Sequence, residues 1–471
     1  MPTALTAQLG RFIADLRFED IPEEAREYIA IGFTDCVGVM IAGSAEEAVR
    51  IVTSTLSPAP GEATLVFGPT SAPALEAALI NGTAAHALDY DDVAQRGHPS
   101  AVLVPAILAE AQALGSSGKD MMVAYAAGYE TWAELVRRDA DPHHEKGWHP
   151  TGVFGAVGAA AACASLRKLN VERATQAIAL GASQSAGIMA NFGTMTKPFH
   201  AGRSAQAGVL AARLASNGFT SSPDAFEHSQ GFLSAISPKG RIDFDMPVEA
   251  GRHWKILDQK LSVKKYPLCY CTHRALDAVL DLTAEQKIDP PKVNSVTVST
   301  SRLNAKILRN HLPQTGLEAK FSMEFAMASA LLARRAGLAE LTDDFVLSPE
   351  VQALMKRVTV EPDDREDPEM PGKTMYDMVI VETVDQRRLE SAKVRHIRGG
   401  PELPLKREEL WTKFEGCLQT SPRPFAAREL FEALMSLENV AHVNQLPGMG
   451  KQSSRGAGSN ARNERETVGA K

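Results

Sequence analysis

From residue 4 to about residue 260 the chain repeats one pattern, apolar residues at i, i+3, i+4 and i+7 in segments rich in alanine and glycine. IPEEAREYIAIGFTDCVGVMIAG, PALEAALINGTAAHALDY, SAVLVPAILAEAQAL, KDMMVAYAAGYETWAELV, TGVFGAVGAAAACASLRKL and VERATQAIALGASQSAG all carry it. Small side chains let helix axes approach closely, so this half is constrained to a tightly packed helical body with few strands. The pattern changes after Pro267. KVNSVTVSTS (292–301), VTVEPDD (358–364), MYDMVIVETVD (375–385) and RRLESAKVR (387–395) alternate or are β-branched, and a helix is predicted among them from Lys320 to Arg334. Helical periodicity returns at KREELWTKFEGCLQ and ARELFEALMSLENV. The prediction is a mainly α protein, with a large all-helical domain from residues 1–265 and 400–447 and a smaller α+β domain at 266–399. The polar, Gly- and Ser-rich tail at 448–471 is expected to be disordered.

Composition excludes several classes of function. Fifty basic against 57 acidic residues give a net charge of −7, so no global field attracts nucleic acid or an anionic membrane, and any anion must be held locally. The five cysteines include no CxxC pair, which reads as a reducing, cytoplasmic compartment. The N-terminal twenty residues read as an amphipathic helix, because Arg11 and Asp15 interrupt any signal-peptide core. The apolar run from Thr151 to Ser165 falls short of the ~20 residues that cross a bilayer and is predicted to be a buried helix. GxxxxGK[ST], HExxH and GxSxG are all missing, and Gly152, Gly155 and Gly158 lie inside a helical run, where they permit close packing rather than nucleotide binding.

Four segments carry chemistry. Residues 173–223 contain no Asp or Glu, where the chain mean of 57 in 471 predicts about six. Within them TKPFHAGRSAQAG brings Lys197, His200 and Arg203 to the start of a predicted helix, either an anion site or the solvent-facing charges of a core helix. NGTAAHALDYDDVAQRGHPS gathers His86, Asp89, Asp91, Asp92 and His98 at a break between two helices, where the acids serve a metal, proton transfer or helix capping. His98 and His149 each precede a proline at the start of a small-residue helix, and two such starts could place two imidazoles at one pocket. KKYPLCYCTHRALDAVLDL sets His273 at the junction where composition changes, in a cleft or as a cap, with Cys269 and Cys271 read as packing residues.

NGTAAHALDYDDVAQRGHPSAVLVPAILA, GWHPTGVFGAVGAAAA, GASQSAGIMANFGTMTKPFHAGRSAQAG, KKYPLCYCTH and AKFSMEFAMASALLA, in this order and spacing, resemble the MmgE/PrpD family. That family includes 2-methylcitrate dehydratase, cis-aconitate decarboxylase and iminodisuccinate epimerase. The resemblance runs from about residue 5 to 445. It implies a helical domain built from both chain ends, an α+β lid, a homodimer, and a site between the domains that uses neither metal nor organic cofactor. It also implies a catalytic set of Asp89, His98, His149, Lys197 and His273. A threonine and a tyrosine of the decarboxylase branch fall at Val93 and Phe325.

The three activities share the movement of a proton at a carbon beside a carboxylate, in a substrate with two or three negative charges. Lys197, with His200 and Arg203, would bind carboxylates, and the imidazoles would divide the acid and base roles. The expected activity is that of a cofactor-independent lyase on a citrate-like polycarboxylate, with dehydration first and decarboxylation or epimerisation as other outcomes of the same site. Two readings of other classes stand beside it. Asp89, Asp91 and Asp92 could hold magnesium, which requires a second acidic cluster on a facing helix. Alternatively, the chain is a non-catalytic helical scaffold.

Overall fold

The computed structural model describes residues 4–421 and 423–449. Apart from Gly448 and Met449, the expected tail therefore lies outside the described residues. In the first half, α1 (Glu23–Gly43), α2 (Ala74–Ala87), α3 (Pro99–Leu114), α4 (Gly118–Arg137), α5 (Pro150–Leu166) and α6 (Thr196–Ser216) pack into one core. Small residues set the spacing, as the sequence pattern predicts. A Cβ on Gly82 of α2 would lie 2.8 Å from Gly202 of α6, and one on Gly158 of α5 would lie 3.2 Å from the Gly128 carbonyl of α4. The Gly82–Gly202 crossing is what delivers the N-terminus of α6, with Lys197, to the C-terminus of α2, with His86. Among the described residues no single helix is long and apolar enough to cross a membrane.

A second core begins at Tyr266, and from earlier in the chain Phe192 is buried in it and Met189 packs against it. It contains α7 (His273–Glu285), β1 (Val293–Ser301), α8 (Arg302–Ile307), α9 (Met323–Ala333), β2 (Val358–Asp363), β3 (Met378–Thr383) and β4 (Arg388–Glu390). The sheet order is β2–β1–β3–β4, with β1 parallel to β2 and the other pairs antiparallel. In register, Val298 faces Val360 on one side and Val379 on the other, and Val296, Val298, Val379 and Val381 are fully buried. The chain then returns to the first core through α10 (Arg407–Gln419), whose Leu410, Phe414 and Cys417 are buried there. RRLESAKVR is strand only at its start, and the helix predicted from Lys320 begins at Met323, where Ser322 caps it through a bond from the Phe325 amide.

Candidate active site

The two His-Pro starts become two helix N-caps. His98 and His149 precede Pro99 and Pro150, the first residues of α3 and α5, and the His98 amide donates to the Thr151 hydroxyl of the other helix at 3.2 Å. This ties one histidine-bearing start to the other. His86, in the last turn of α2, packs between them, its ring 4.4 Å from that of His98 and 5.8 Å from that of His149.

Asp91 organises these rings. Its carboxylate accepts from His86 Nδ1 at 2.9 Å and from His98 Nδ1 at 2.8 Å, and the Asp92 carbonyl also accepts from His98 Nδ1 at 3.0 Å. An ionised carboxylate has no proton to donate, so both imidazoles must carry their proton on Nδ1 and keep the Nε2 lone pair free. His86 Nε2 accepts from Lys197 Nζ at 2.9 Å. His98 Nε2 is left facing the cavity, 3.9 Å from Asp89 Oδ1. Burial, then the Lys197 and Lys264 charges, push the His98 imidazole below its ordinary range, and His86 falls to about 3 from burial and Lys197. Both rings are therefore neutral at pH 7. Burial alone would raise Asp91, but its two imidazole partners hold it well below the usual carboxylate range.

Asp89 sits between two ammonium groups, Lys197 Nζ at 2.5 Å and Lys264 Nζ at 3.2 Å, which together outweigh its burial and keep it ionised. Its backbone is left-handed, φ 51°, as are those of Gln95 and Arg96 at 49° and 62°, so three non-glycine residues of one loop carry strain. Three buried lysines stake that loop to the rest of the protein. Lys320, Lys264 and Lys413 donate to the carbonyls of Ala87, Asp89 and Tyr90 at 2.9, 2.5 and 2.7 Å. They come from the second core, the segment between the cores and α10. Lys413 also pairs with Asp35 of α1 at 2.6 Å, both side chains being at most 5% exposed. Lys413→Met should therefore lower stability by about 3 kcal/mol in urea unfolding, because it strands a buried carboxylate, and adding Asp35→Asn should recover part of the loss. A midpoint unchanged in the single variant would contradict this.

Asp89, His98, His149, Lys197 and Lys264 line one side of a cavity of about 520 Å³, and Tyr270, Cys271, Arg274, Leu303 and Ile307 line another. Three predicted residues are placed differently. His200 does not line the cavity; its Nδ1 is 3.0 Å from His149 Nδ1, so it orients that ring from behind. His273 opens α7 fully buried behind the wall, packed between Tyr266 and Tyr270, with Nε2 donating to the Leu268 carbonyl at 3.2 Å. Arg203 is exposed and bonds Gln206 of its own helix, because it lies six residues beyond Lys197, about 240° around the helix. His86, Lys264, Lys320 and Lys413 are positions that sequence reasoning left without an assigned role, and Asp91 it read as a capping or metal-binding acid rather than the partner of two imidazoles. Only His86 and Asp91 gave a signal, as members of the acidic, histidine-rich break.

Ligand atoms of His86, Asp89, Asp91 and His98 all lie within 4.8 Å of one another, which would suit a divalent cation. The Lys197 ammonium is already bonded to two of the four, Asp89 and His86. Asp92 does not join them. Its carboxyl is fully buried, and desolvation and the neighbouring Asp35 push it well above the usual range. The Asp89–Asp91–Asp92 magnesium set is thus not assembled.

Two profiles cover most of the chain: residues 7–245 match the MmgE/PrpD N-terminal domain and residues 266–438 the MmgE/PrpD C-terminal domain. The chain belongs to the MmgE/PrpD family. Among relatives of this MmgE/PrpD protein, cis-aconitate decarboxylase of Homo sapiens is 27% identical over 389 residues, 79% of each chain. Cis-aconitate decarboxylase of Mus musculus is 25% identical, covering 78% of this chain and 75% of its own. Cis-aconitate decarboxylase of Aspergillus terreus is 22% identical, covering 94% of this chain and 95% of its own. Of the two departures from the decarboxylase branch, Val93 lines the cavity. Phe325 is fully buried against Phe345 in the second core and is not part of the lining.

The burial of so many neutral imidazoles predicts acid lability. His86 and His273 are held near 3 and His200 near 4, chiefly by burial, whereas an unfolded histidine titrates near 6.5. Below about pH 6.5 each of these histidines binds more protons unfolded than folded, so its contribution, complete above that pH, is lost toward pH 4 by up to about 1.4 kcal/mol per unit. The three outnumber Glu130, which burial pushes up to about 8 and which acts in the opposite direction. Urea midpoints should fall between pH 7.5 and 5.0. A midpoint that holds or rises would contradict the neutral imidazoles.

Proposed function

We propose that this MmgE/PrpD protein is a cofactor-independent lyase that transfers a proton at a carbon next to a carboxylate of a small di- or tricarboxylate. The observation that carries this is the Asp91-fixed His98, whose free Nε2 faces a cavity walled by the Lys197 and Lys264 ammonium groups. The ammonium groups would hold substrate carboxylates and stabilise the enediolate charge that develops, and His98 Nε2 would exchange the proton. The Coulomb field of a bound polyanion raises the imidazole's affinity for a proton, so the same atom can act as base in an elimination or as acid after loss of CO2.

The sequence reading places dehydration first, and the named activity of the relatives shifts the weight to decarboxylation of a cis-aconitate-like acid. Dehydration is kept as the second reading because the cavity carries the Val93 side chain where the decarboxylase branch has a hydroxyl. Proton NMR of the purified protein with citrate, 2-methylcitrate, cis-aconitate and iminodisuccinate in deuterated water separates these outcomes. Loss of CO2 with deuterium incorporated at carbon supports the first, water loss or addition the second, and no change in any acid contradicts both. The same turnover in excess EDTA is expected.

A further inference from the structure

The cavity is larger than the chemistry of its charged end requires. At about 520 Å³ it lies within the ~300–1,000 Å³ of sites that enclose drug-sized ligands, well beyond what a citrate-sized acid fills. One side of it gathers Asp89, His98, Lys197 and Lys264. Around and beyond them apolar side chains alternate with polar and charged ones, among them Gln259, Asn304, Arg274 and Arg395. The rings of Phe192 and Phe321 stand 5.8 Å apart, and Lys197 Nζ sits 5.4 and 5.3 Å from their centroids. Leu303 and Ile307, four residues apart and so on one face of α8, line the cavity with Ile397 and Val93.

The cations of the far wall are committed elsewhere. Arg96 donates to the carbonyls of Asp139 and Asp141 at 3.1 and 2.8 Å, Arg274 donates to the Thr374 carbonyl at 2.7 Å, and Arg395 pairs with Asp367 at 3.1 Å. Glu402 lines that side as well and pairs with His396 at 3.4 Å, adding a negative charge. Those guanidinium groups are held by protein acceptors, and the apolar side chains between them present surface that an apolar group would remove from water.

We propose that the natural substrate is a small polycarboxylate bearing an apolar substituent longer than methyl, an alkyl chain or aryl ring that lies against Phe192, Phe321, Leu303, Ile307 and Ile397. This rests on the polycarboxylate reading above and names its substrate class. Titration calorimetry with tricarballylate and its 2-methyl, 2-propyl and 2-hexyl derivatives, which lack a hydroxyl to eliminate, tests it without depending on the reaction. Affinity should rise roughly threefold per added methylene, somewhat below the full transfer value because the cleft is open to water. Ile307→Asp should flatten that dependence. Tightest binding by unsubstituted tricarballylate, with affinity falling along the series, would overturn the substituent proposal and leave the polycarboxylate reading intact. Binding by no member of the series would overturn both.

Discussion

Lys197→Ala should lower turnover by at least about 10³-fold while the far-ultraviolet circular dichroism stays that of the parent. Lys197 Nζ is bonded to Asp89 and His86 and lies against the faces of two phenylalanines, so it is the cation that closes the cluster and faces the substrate volume. Asp89 keeps Lys264 at 3.2 Å when Lys197 is removed, which is why the fold should survive the loss. What disappears is positive charge positioned before the enediolate forms, in a site where burial makes each charge count for more than in water. Near-parental turnover in a folded Lys197→Ala protein would argue against this cluster as the site of reaction.

Asp91→Asn should be almost as costly, about 10³- to 10⁴-fold in kcat, by the logic that governs a carboxylate behind a catalytic imidazole. The carboxylate accepts two N–H groups at once, from His86 and His98. A carboxamide offers one oxygen and one NH2 group, so one of the two rings faces a donor at Nδ1 and is pressed to turn or to move its proton to Nε2, His98 doing so against the hold of the Asp92 carbonyl. If that ring is His98, the cavity meets a donor in place of a lone pair. If it is His86, the bond from Lys197 is lost. The variant changes no volume, so a fold-only effect would appear in unfolding midpoints and spare kcat, which is the result that would count against the tautomer role.

Much of this was legible in the sequence, and the parts that were not have identifiable reasons. The helical body follows from its 3.6-residue periodicity and small residues, and the sheet from alternation in VTVSTS and MVIVET, because both signals are local. His98 and His149 were legible because proline fixes a helix start and a start fixes where the preceding side chain stands. Lys197 stood out through the missing acids around it, and Asp89 through its place in the break after α2. Arg203 was misplaced although helical phase alone turns it away from Lys197. Asp91 looked like one capping acid among three, since nothing local shows that two imidazoles converge on it. Lys413 and Lys320 gave no sign at all. Their partners, the carbonyls of Tyr90 and Ala87, are more than 200 residues away in sequence, and a backbone carbonyl carries no side-chain identity to read.

The central claim is that Asp91 fixes His98 as a neutral imidazole protonated on Nδ1, with Nε2 turned to the anion. Long-range nitrogen–proton correlation spectra of the protein labelled with 15N-histidine, recorded with and without tricarballylate at pH 7.5 and assigned with His98→Gln, test it directly. The free protein should show His98 with a protonated Nδ1 and an unprotonated Nε2, and saturation with the anion should shift Nε2 toward the protonated value. A His98 ring protonated on Nε2 in the free protein, or one whose nitrogens do not respond to saturating tricarballylate, would contradict it.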